Sequence, residues 1–422
     1  MPDESALSDD FLRQLVSVGE VDILIGVPTY NNASTVGQVA QSLEQALVRS
    51  FARDRVVIVN ADGGSRDGTP EALMTDPAHS NDNAHGLVHL RTIHRVSTRY
   101  RGHPSFASAL RTILAAAELL RAKACAILSP ASSNMAPAWI ENLVRPTYKE
   151  GFHYVAPLYK RHKYDGLLIR EILYPIGRAA YGQQVRELHS EEFGFSGDFA
   201  SHCLNQEVWH QEPVRLGAAT WMAIEAMSAG FKTCQSYLGP KLRTDPGTTS
   251  DVVSAIRQTV GTMFWCLDAN PAAWSERTGS EKVPTSGSDH ELAEEPIRTN
   301  RKRLLELFRN GVGELSPILG QILCPETLAA LQGAAALDDD EFNLEGGVWV
   351  RILYDFAAAY HHSVLNRDHL LQVLAPLYRG RVCAVLKQHQ DLTTEQIEQC
   401  TEDLCLEFER HKPYLLERWK TR

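Results

Sequence analysis

Short apolar runs alternate with stretches of helical spacing through the first third of the chain. Asp22 to Val27 is a mostly apolar run rich in Ile and Val, which reads as a buried strand, and Pro28, lacking an amide, is expected to end it. Asn31, Asn32, Ala33, Ser34 and Thr35 then lead into apolar residues at Val36, Val39, Ala40, Leu43 and Leu47, the spacing of a capped helix. Arg55 to Asn60 repeats the strand pattern, and Ala61 to Gly68 forms a turn of small and acidic residues before another helix. Gly86 to His94 alternates like a strand. Ser105 to Ala122 is an Ala- and Leu-rich helix, Lys123 to Leu128 a central strand, and Pro137 to Tyr148 a helix. The alternation predicts a doubly wound α/β layer through about residue 157.

Past Tyr159 the pattern loosens into an interrupted helix with Pro175 as kink or boundary, followed by a Gly- and Phe-bearing turn. Thr220 to Ala229 reads as a helix and Thr233 to Leu238 as a strand, while Pro271 to Glu295, polar and Ser-rich, reads as a surface loop or hinge. From Thr299 onward helical periodicity dominates, for example at Val350, Leu353, Tyr354, Phe356, Ala357 and Tyr360. The expected division is an N-terminal extension (1–20), an α/β domain (21–265), a polar linker (266–298) and an α-helical C-terminal domain (299–422).

At 422 residues the chain is long for one core, which agrees with a two-part body. The net charge of -10 argues against nucleic acid and anionic membrane as partners, and no apolar stretch approaches the roughly 18 residues of a membrane span. The acidic, amphipathic N-terminus is unlike a signal peptide, so a cytoplasmic location is expected. Eight cysteines without a CxxC pair are expected to be reduced and mostly buried.

In an open parallel sheet ligands bind at the carboxyl edge, where Asn60 and Asp62 are expected. Asp62 there suits a ribose or base, and Gly63 and Gly64 let the backbone pass close to it, although the same residues make an ordinary solvated turn. The pair VPTYNN and VNADGGSRDGT resembles the opening of GT-A glycosyltransferases of the family 2 type. The resemblance implies a GT-A, Rossmann-like nucleotide-sugar domain with Pro28, Tyr30, Asn60 and Asp62 facing the nucleotide. His103, Ser129 and Ser132 fall at further positions of the same donor edge.

In that family a DxD-like acidic pair after the fourth strand holds Mg or Mn against the donor diphosphate. Here the strand runs into Ser129, Pro130, Ala131, Ser132, Ser133 and Asn134, with Pro137, Ala138 and Trp139 keeping the surrounding frame. Where the family places a histidine, a Gly-Lys-Gly turn and an acid, this chain has Lys241 to Asp245, Gly102-His103-Pro104 and Ala219. No metal ligand is assigned. Either Lys241 and Arg243 stand in as fixed cations for a leaving diphosphate, or the fold is kept and catalysis lost.

The segment HSEEFGFSGDFASH resembles the acceptor-side turn of glucosylglycerate and mannosylglycerate synthase-like proteins, matching at Phe193, Gly194, Phe195, Ser196 and Gly197. Glu191 or Glu192 would take an acceptor proton if the reaction inverts; a solvated acidic turn is the alternative. Arg161, His162 and Lys163 lie in a segment resembling the same family's YSRHKYDG stretch and suit an anionic acceptor, a solvated basic loop being the alternative. His361 resembles part of a tyrosine-histidine pair in those proteins, but adjacent helix histidines cannot share one metal from one face, and packing or capping is the plainer role. The implied activity is transfer of a hexose from a UDP-, GDP- or ADP-sugar to a small acidic, glycerate-like acceptor, with or without metal. The alternative is a catalytically inactive pseudo-glycosyltransferase that binds a nucleotide sugar or a partner protein. A homodimer is the assembly considered.

Overall fold

The computed structural model describes residues 7–75, 93–100, 103–132, 134–241, 252–287 and 300–421. The chain divides into two compact units that interleave in sequence. One takes residues up to 160, 189–246 and 283–291; the other takes 161–188, 247–282 and 292 onward. The stretches 161–188 and 247–282, which fall largely inside the segment expected to be α/β, thus belong to the helical unit.

Among the described residues the α/β unit is built on eight strands: β1 (Ile23–Thr29), β2 (Val56–Asp62), β3 (Ile93–Arg99), β4 (Ala124–Ile127), β5 (Tyr154–Lys160), β6 (Phe193–Ser196), β7 (Thr233–Pro240) and β8 (Thr285–Ser286). Their order is β3-β2-β1-β4-β6-β5-β7-β8. All pairings are parallel except those of β6, which runs antiparallel to β4 and β5, so the sheet is mixed. Its helices are α1 (Asp9–Val18), α2 (Ala33–Ser50), α3 (Thr69–Met74), α4 (Phe106–Leu119) and α5 (Pro137–Lys149). After α6 (Tyr174–Tyr181), which belongs to the other unit, come α7 (Gly197–Leu204) and α8 (Glu212–Ser228). Every residue of β1 and β2 is buried, which explains their apolar runs at 23–27 and 56–59. On one face Val36, Val39 and Leu43 of α2 and Trp139, Ile140 and Leu143 of α5 pack on Ile23, Ile25, Val56 and Ala126. The Rossmann-like layer and the helical C-terminal region are those expected.

Several elements depart from expectation. Pro28 does not end β1; it pairs in register with Ala61, and the strand continues to Thr29. Gly26 and Thr29 accept bonds on opposite edges, from Leu128 and Gly63, so Pro28 turns its missing amide toward the β4 side, where β4 has already ended at Ile127. The pairing with β4 stops at Gly26 and Ile127, where the next ladder bond, to the Leu128 carbonyl, would need that amide. The strand expected at Gly86–His94 lies outside the described residues up to Thr92; the strand found starts at Ile93 and runs to Arg99. Phe193–Ser196, expected as a turn, is the antiparallel strand between β4 and β5. Gly194 makes that insertion possible, because a Cβ there would lie 2.0 Å from the Leu143 carbonyl oxygen. The expected polar loop from Pro271 opens on a 3-10 turn, buries Trp274 completely and supplies β8, while residues 288–299 lie outside the described set.

The helical unit comprises α6, α9 (Val252–Ile256), α10 (Thr262–Ala269), α11 (Arg301–Glu314), α12 (Ser316–Ile322), α13 (Pro325–Ala336), α14 (Gly346–His361), α15 (Arg367–Gln388), α16 (Thr394–Arg410) and α17 (Lys412–Lys420). Helix α14 is buried from Trp349 to Tyr360 apart from Arg351. Pro175 lies in the first turn of α6, and the interruption it causes takes the form of a π-helical turn, Ile169–Leu173, directly before it. The Glu171 carbonyl, four residues before the proline, instead accepts a bond from Trp349 Nε1 at 2.9 Å. Buried charges are paired: Arg381 with Glu171 at 2.8 Å, and Arg178 with both oxygens of Glu402 and with Glu409. The Lys412 ammonium donates to the carbonyls of Ala179, Ala180, Trp274 and Arg277, and burial pushes it down to about 8. Six of the eight cysteines are buried and none is bonded to another. No described helix is long and apolar enough to cross a membrane.

Gly194→Ala is expected to cost about 3 kcal/mol or more, since the clash is with backbone that cannot rotate away. Urea unfolding checks this; a change within about 0.5 kcal/mol of zero would show that α5 can move aside.

Candidate functional site

The loops that follow β1 and β2 form one hydrogen-bonded body. Asp62, at the end of β2 and 4% exposed, accepts from Thr29 Oγ1 (2.9 Å) and Ser65 Oγ (2.6 Å) on one oxygen and from the Gly64 (2.7 Å) and Ser65 (2.8 Å) amides on the other. Asn60, wholly buried, donates to Thr29 Oγ1 and accepts from Ser97. Beyond them Asn31, held at φ 56, donates its amide to Ser65 and accepts from the Arg66 amide. Asp67 accepts from the Ala33 amide at the first turn of α2, which Asn32 does not cap with its side chain. The Thr69 hydroxyl, together with that amide, holds Asp67 below the ordinary carboxylate range.

Beside this body lies a cavity of about 320 Å³ at the carboxyl ends of β1 and β4. The strand order reverses between these two strands, since the chain winds outward from β1 to β2 and β3 before α4 carries it back to β4. Pro28, Tyr30 and Asn32 line one side, and Ser129, Pro130 and Ala131 the other. Tyr100 and Phe106 add aromatic surface, and Gly63 is glycine because a Cβ would sit 2.8 Å from the Tyr100 hydroxyl. Ser105 caps α4, accepting from the Ser108 amide at 3.1 Å, so the positive end of that helix borders the cavity. Among the described residues Glu191 is the one charged group lining it.

Two neighbouring glutamates, immediately before β6, have different fates. Glu191 accepts from Ser129 Oγ at 2.7 Å at the cavity wall. Glu192 is fully buried and is bonded to Lys241 Nζ through both oxygens at 2.8 Å, to Tyr159 Oη at 2.6 Å, to Ser190 Oγ at 3.1 Å and to Ser132 Oγ. Burial alone would raise this carboxyl. The Lys241 ammonium, helped by the Ser132 and Tyr159 hydroxyls, outweighs it and holds the group below its ordinary 4.5. A carboxylate so occupied is no proton acceptor for a substrate, which corrects the expectation for Glu192.

Pro28, Tyr30, Ser129 and Glu191 therefore meet at one cavity, with Ser132 one turn behind. Asn60 and Asp62 do not line it; they build the loop beside it. His103 is exposed just ahead of α4 and also does not line it. Ser196 pairs with Ala124 at the start of β4 and caps α7 through the Phe199 amide, which puts it at the opposite edge of the sheet from Ser129. Arg243 lies outside the described residues. Arg161, His162, Lys163 and His361 belong to the helical unit. There Arg161 pairs with Glu187 and Asp165, His162 Nδ1 accepts from the Tyr164 amide, and Lys163 donates to the Gln390 carbonyl. His361 is bonded to Asp268 at 2.7 Å and stacked on Trp419 at 4.3 Å. Sequence reasoning missed Tyr100 and Phe106, whose only signal was aromatic residues flanking the Gly-His-Pro turn, and the pairing of Lys241 with Glu192, which carried none.

A divalent cation held after β4 is what the resemblance implies, and the donors among the described residues there do not fit one. The described residues of that turn offer hydroxyls already given to glutamates, and the Glu192 carboxylate is filled by an ammonium. Among the described residues no cluster of three His, Cys, Asp or Glu side chains is placed to hold a metal.

No family model matches the chain, and no curated protein matches it. Among solved structures it is similar to glucosyl-3-phosphoglycerate synthase from Mycobacterium tuberculosis. The complex with phosphoglyceric acid is 17% identical, with 61% of this chain and 83% of that chain covered and a TM-score of 0.41. The complex with Mn2+, uridine diphosphate and glucosyl-3-phosphoglycerate is 17% identical over 63% and 86%, with a TM-score of 0.42. The complex with Mn2+, UDP-glucose and phosphoglyceric acid is 16% identical over 63% and 86%, with a TM-score of 0.41. Residue roles do not transfer at this distance.

Asp62→Ala is expected to destabilise the fold by about 2–4 kcal/mol, since it strands the Gly64 and Ser65 amides and the Thr29 hydroxyl. Denaturant unfolding measures it, with no change refuting the role given to Asp62. For Glu192 the sign follows from its depressed folded value: the stabilisation is present above about 4.5 and is lost as pH falls through the lower folded value. The melting-temperature gap between wild type and Glu192→Gln should therefore be widest near neutrality and narrow below pH 4.5. A gap constant down to about pH 3 would contradict the pairing.

Proposed function

We propose that this chain is a nucleotide-sugar-dependent hexosyltransferase whose donor enters the cavity between the ends of β1 and β4, with a small hydroxyl-bearing acceptor. One observation carries the reading: residues singled out from distant parts of the sequence, Pro28, Tyr30, Ser129 and Glu191, line a single cavity at the point where strand order reverses. A hexose and part of a nucleoside are of a size with its 320 Å³. The aromatic and proline walls suit the flat faces of a base and a sugar ring.

Glu191 is the proton acceptor. As the acceptor hydroxyl oxygen bonds to the anomeric carbon, its proton passes to the Glu191 carboxylate and the bond from that carbon to the nucleoside diphosphate breaks. Ser129 fixes one oxygen of the carboxylate in place. The leaving diphosphate is met by the positive end of α4, whose first turn lines the cavity, and no step requires a divalent cation. Glycerate-like acids are the first acceptors to try. The second reading, a donor-binding protein without turnover, draws on the turn after β4, where serines stand in place of acids.

Calorimetry with UDP-, GDP- and ADP-glucose, with EDTA and then with Mg or Mn, is expected to find one donor bound with affinity unchanged by chelation. Nucleotide release in the presence of acceptor should fall about 10²- to 10³-fold in Glu191→Gln with donor affinity kept. Binding with no nucleotide released from any donor would decide for the second reading. Absence of any donor binding would reject both.

A further inference from the structure

We infer that Glu192 and Lys241 are positioning residues that set the place of Glu191, forming with Ser129 and Ser132 a clasp that does without a metal. The inference rests on the transferase reading for its catalytic consequence. Its structural part stands on bonds already described.

Glu191 and Glu192 are consecutive, yet Glu191 meets the cavity while Glu192 is fully buried. Ser129 and Ser132, three apart in the turn after β4, each donate to one of the two glutamates. The turn is held on itself by the Ser132 amide to the Ser129 carbonyl, and its Asn134 side chain donates to the Pro240 carbonyl one residue before Lys241. Tyr159, at the end of β5, contributes its hydroxyl to Glu192 and its ring to the Lys241 ammonium, 4.9 Å from the centroid. The buried carboxylate thus gathers the carboxyl ends of β4, β5 and β7 at the entrance of β6.

A buried ion pair is a poor way to gain stability, because apolar residues of the same volume do as well or better. It is a good way to fix geometry, since its directional bonds tolerate little displacement. Glu191, one peptide bond from this anchor and held separately by Ser129, has its backbone and one oxygen both determined.

The full-length chain with Lys241→Met, Lys241→Arg or Ser132→Ala tests this. Ser132→Ala removes one bond and no charge, so it is informative even if Lys241→Met does not fold. With the donor found by calorimetry, kcat for nucleotide release should fall at least tenfold in Lys241→Met and severalfold in Ser132→Ala, with donor Kd within about twofold of wild type. The acid limb of the kcat profile should move, and Lys241→Arg should recover most of the loss. Unchanged kcat, or an arginine variant no better than methionine, overturns the inference. Amide hydrogen exchange decides the structural part whether or not turnover occurs. Exchange over 129–132 and 189–193 should quicken about tenfold in Ser132→Ala, and protection equal to wild type there overturns the clasp. A donor bound but never turned over, with quickened exchange, keeps the clasp and removes the transferase reading instead.

Discussion

The carboxyl ends of β1 and β2 depend on one buried carboxylate. Asp62 accepts bonds from β1 through Thr29 and from its own loop through Gly64 and Ser65, so the two consecutive loops share a single anchor. Without that charge, two part-buried backbone amides and two hydroxyls would lose this acceptor, and the two loops would lose their shared anchor. The cavity wall formed by Pro28 and Tyr30 is only as well defined as the loop that holds it, and Tyr30, half exposed, has little other support. An acid that reads from sequence as a ligand contact is here the frame around the site.

The same arrangement recurs across the sheet. Glu192 collects hydroxyls and an ammonium as Asp62 collects amides and hydroxyls, and each lies beside the cavity without lining it. Both are buried, and the groups exposed to the cavity are their neighbours in sequence or in bonding: Tyr30 beside Thr29, and Glu191 beside Glu192. Rigid placement of a few exposed groups by fully satisfied buried ones is the physical requirement for a site of defined geometry.

Much of this was legible in the chain. The apolar runs of β1 and β2 and the helical spacing of α2 carry their own periodicity. Ser129 follows a strand that the periodicity shows, whereas Pro28, Tyr30 and Glu191 are singled out through the family resemblance. What failed did so for lack of local signal. Phe193–Ser196 is too short to show alternation, and its strand character comes from insertion between β4 and β5, with Gly194 fitting against a helix carbonyl. Its reversed direction also carries Ser196 to the far edge, which no sequence pattern encodes. Pro28 misled because its effect depends on which side its nitrogen faces. Arg161 looked available for an anion, yet its partners Glu187 and Asp165 already neutralise it.

The bond from Trp349 to the Glu171 carbonyl has a consequence for how the polypeptide comes together during synthesis. That carbonyl, denied the amide four residues on by Pro175, accepts from an indole 178 residues further on. The ribosome therefore releases the segment around α6 long before its partner exists. Strands β6, β7 and β8, emerging next, can complete the sheet while that segment waits, so the helical body closes last and by long-range contact, a topology that slows folding and leaves apolar surface uncovered in the interval.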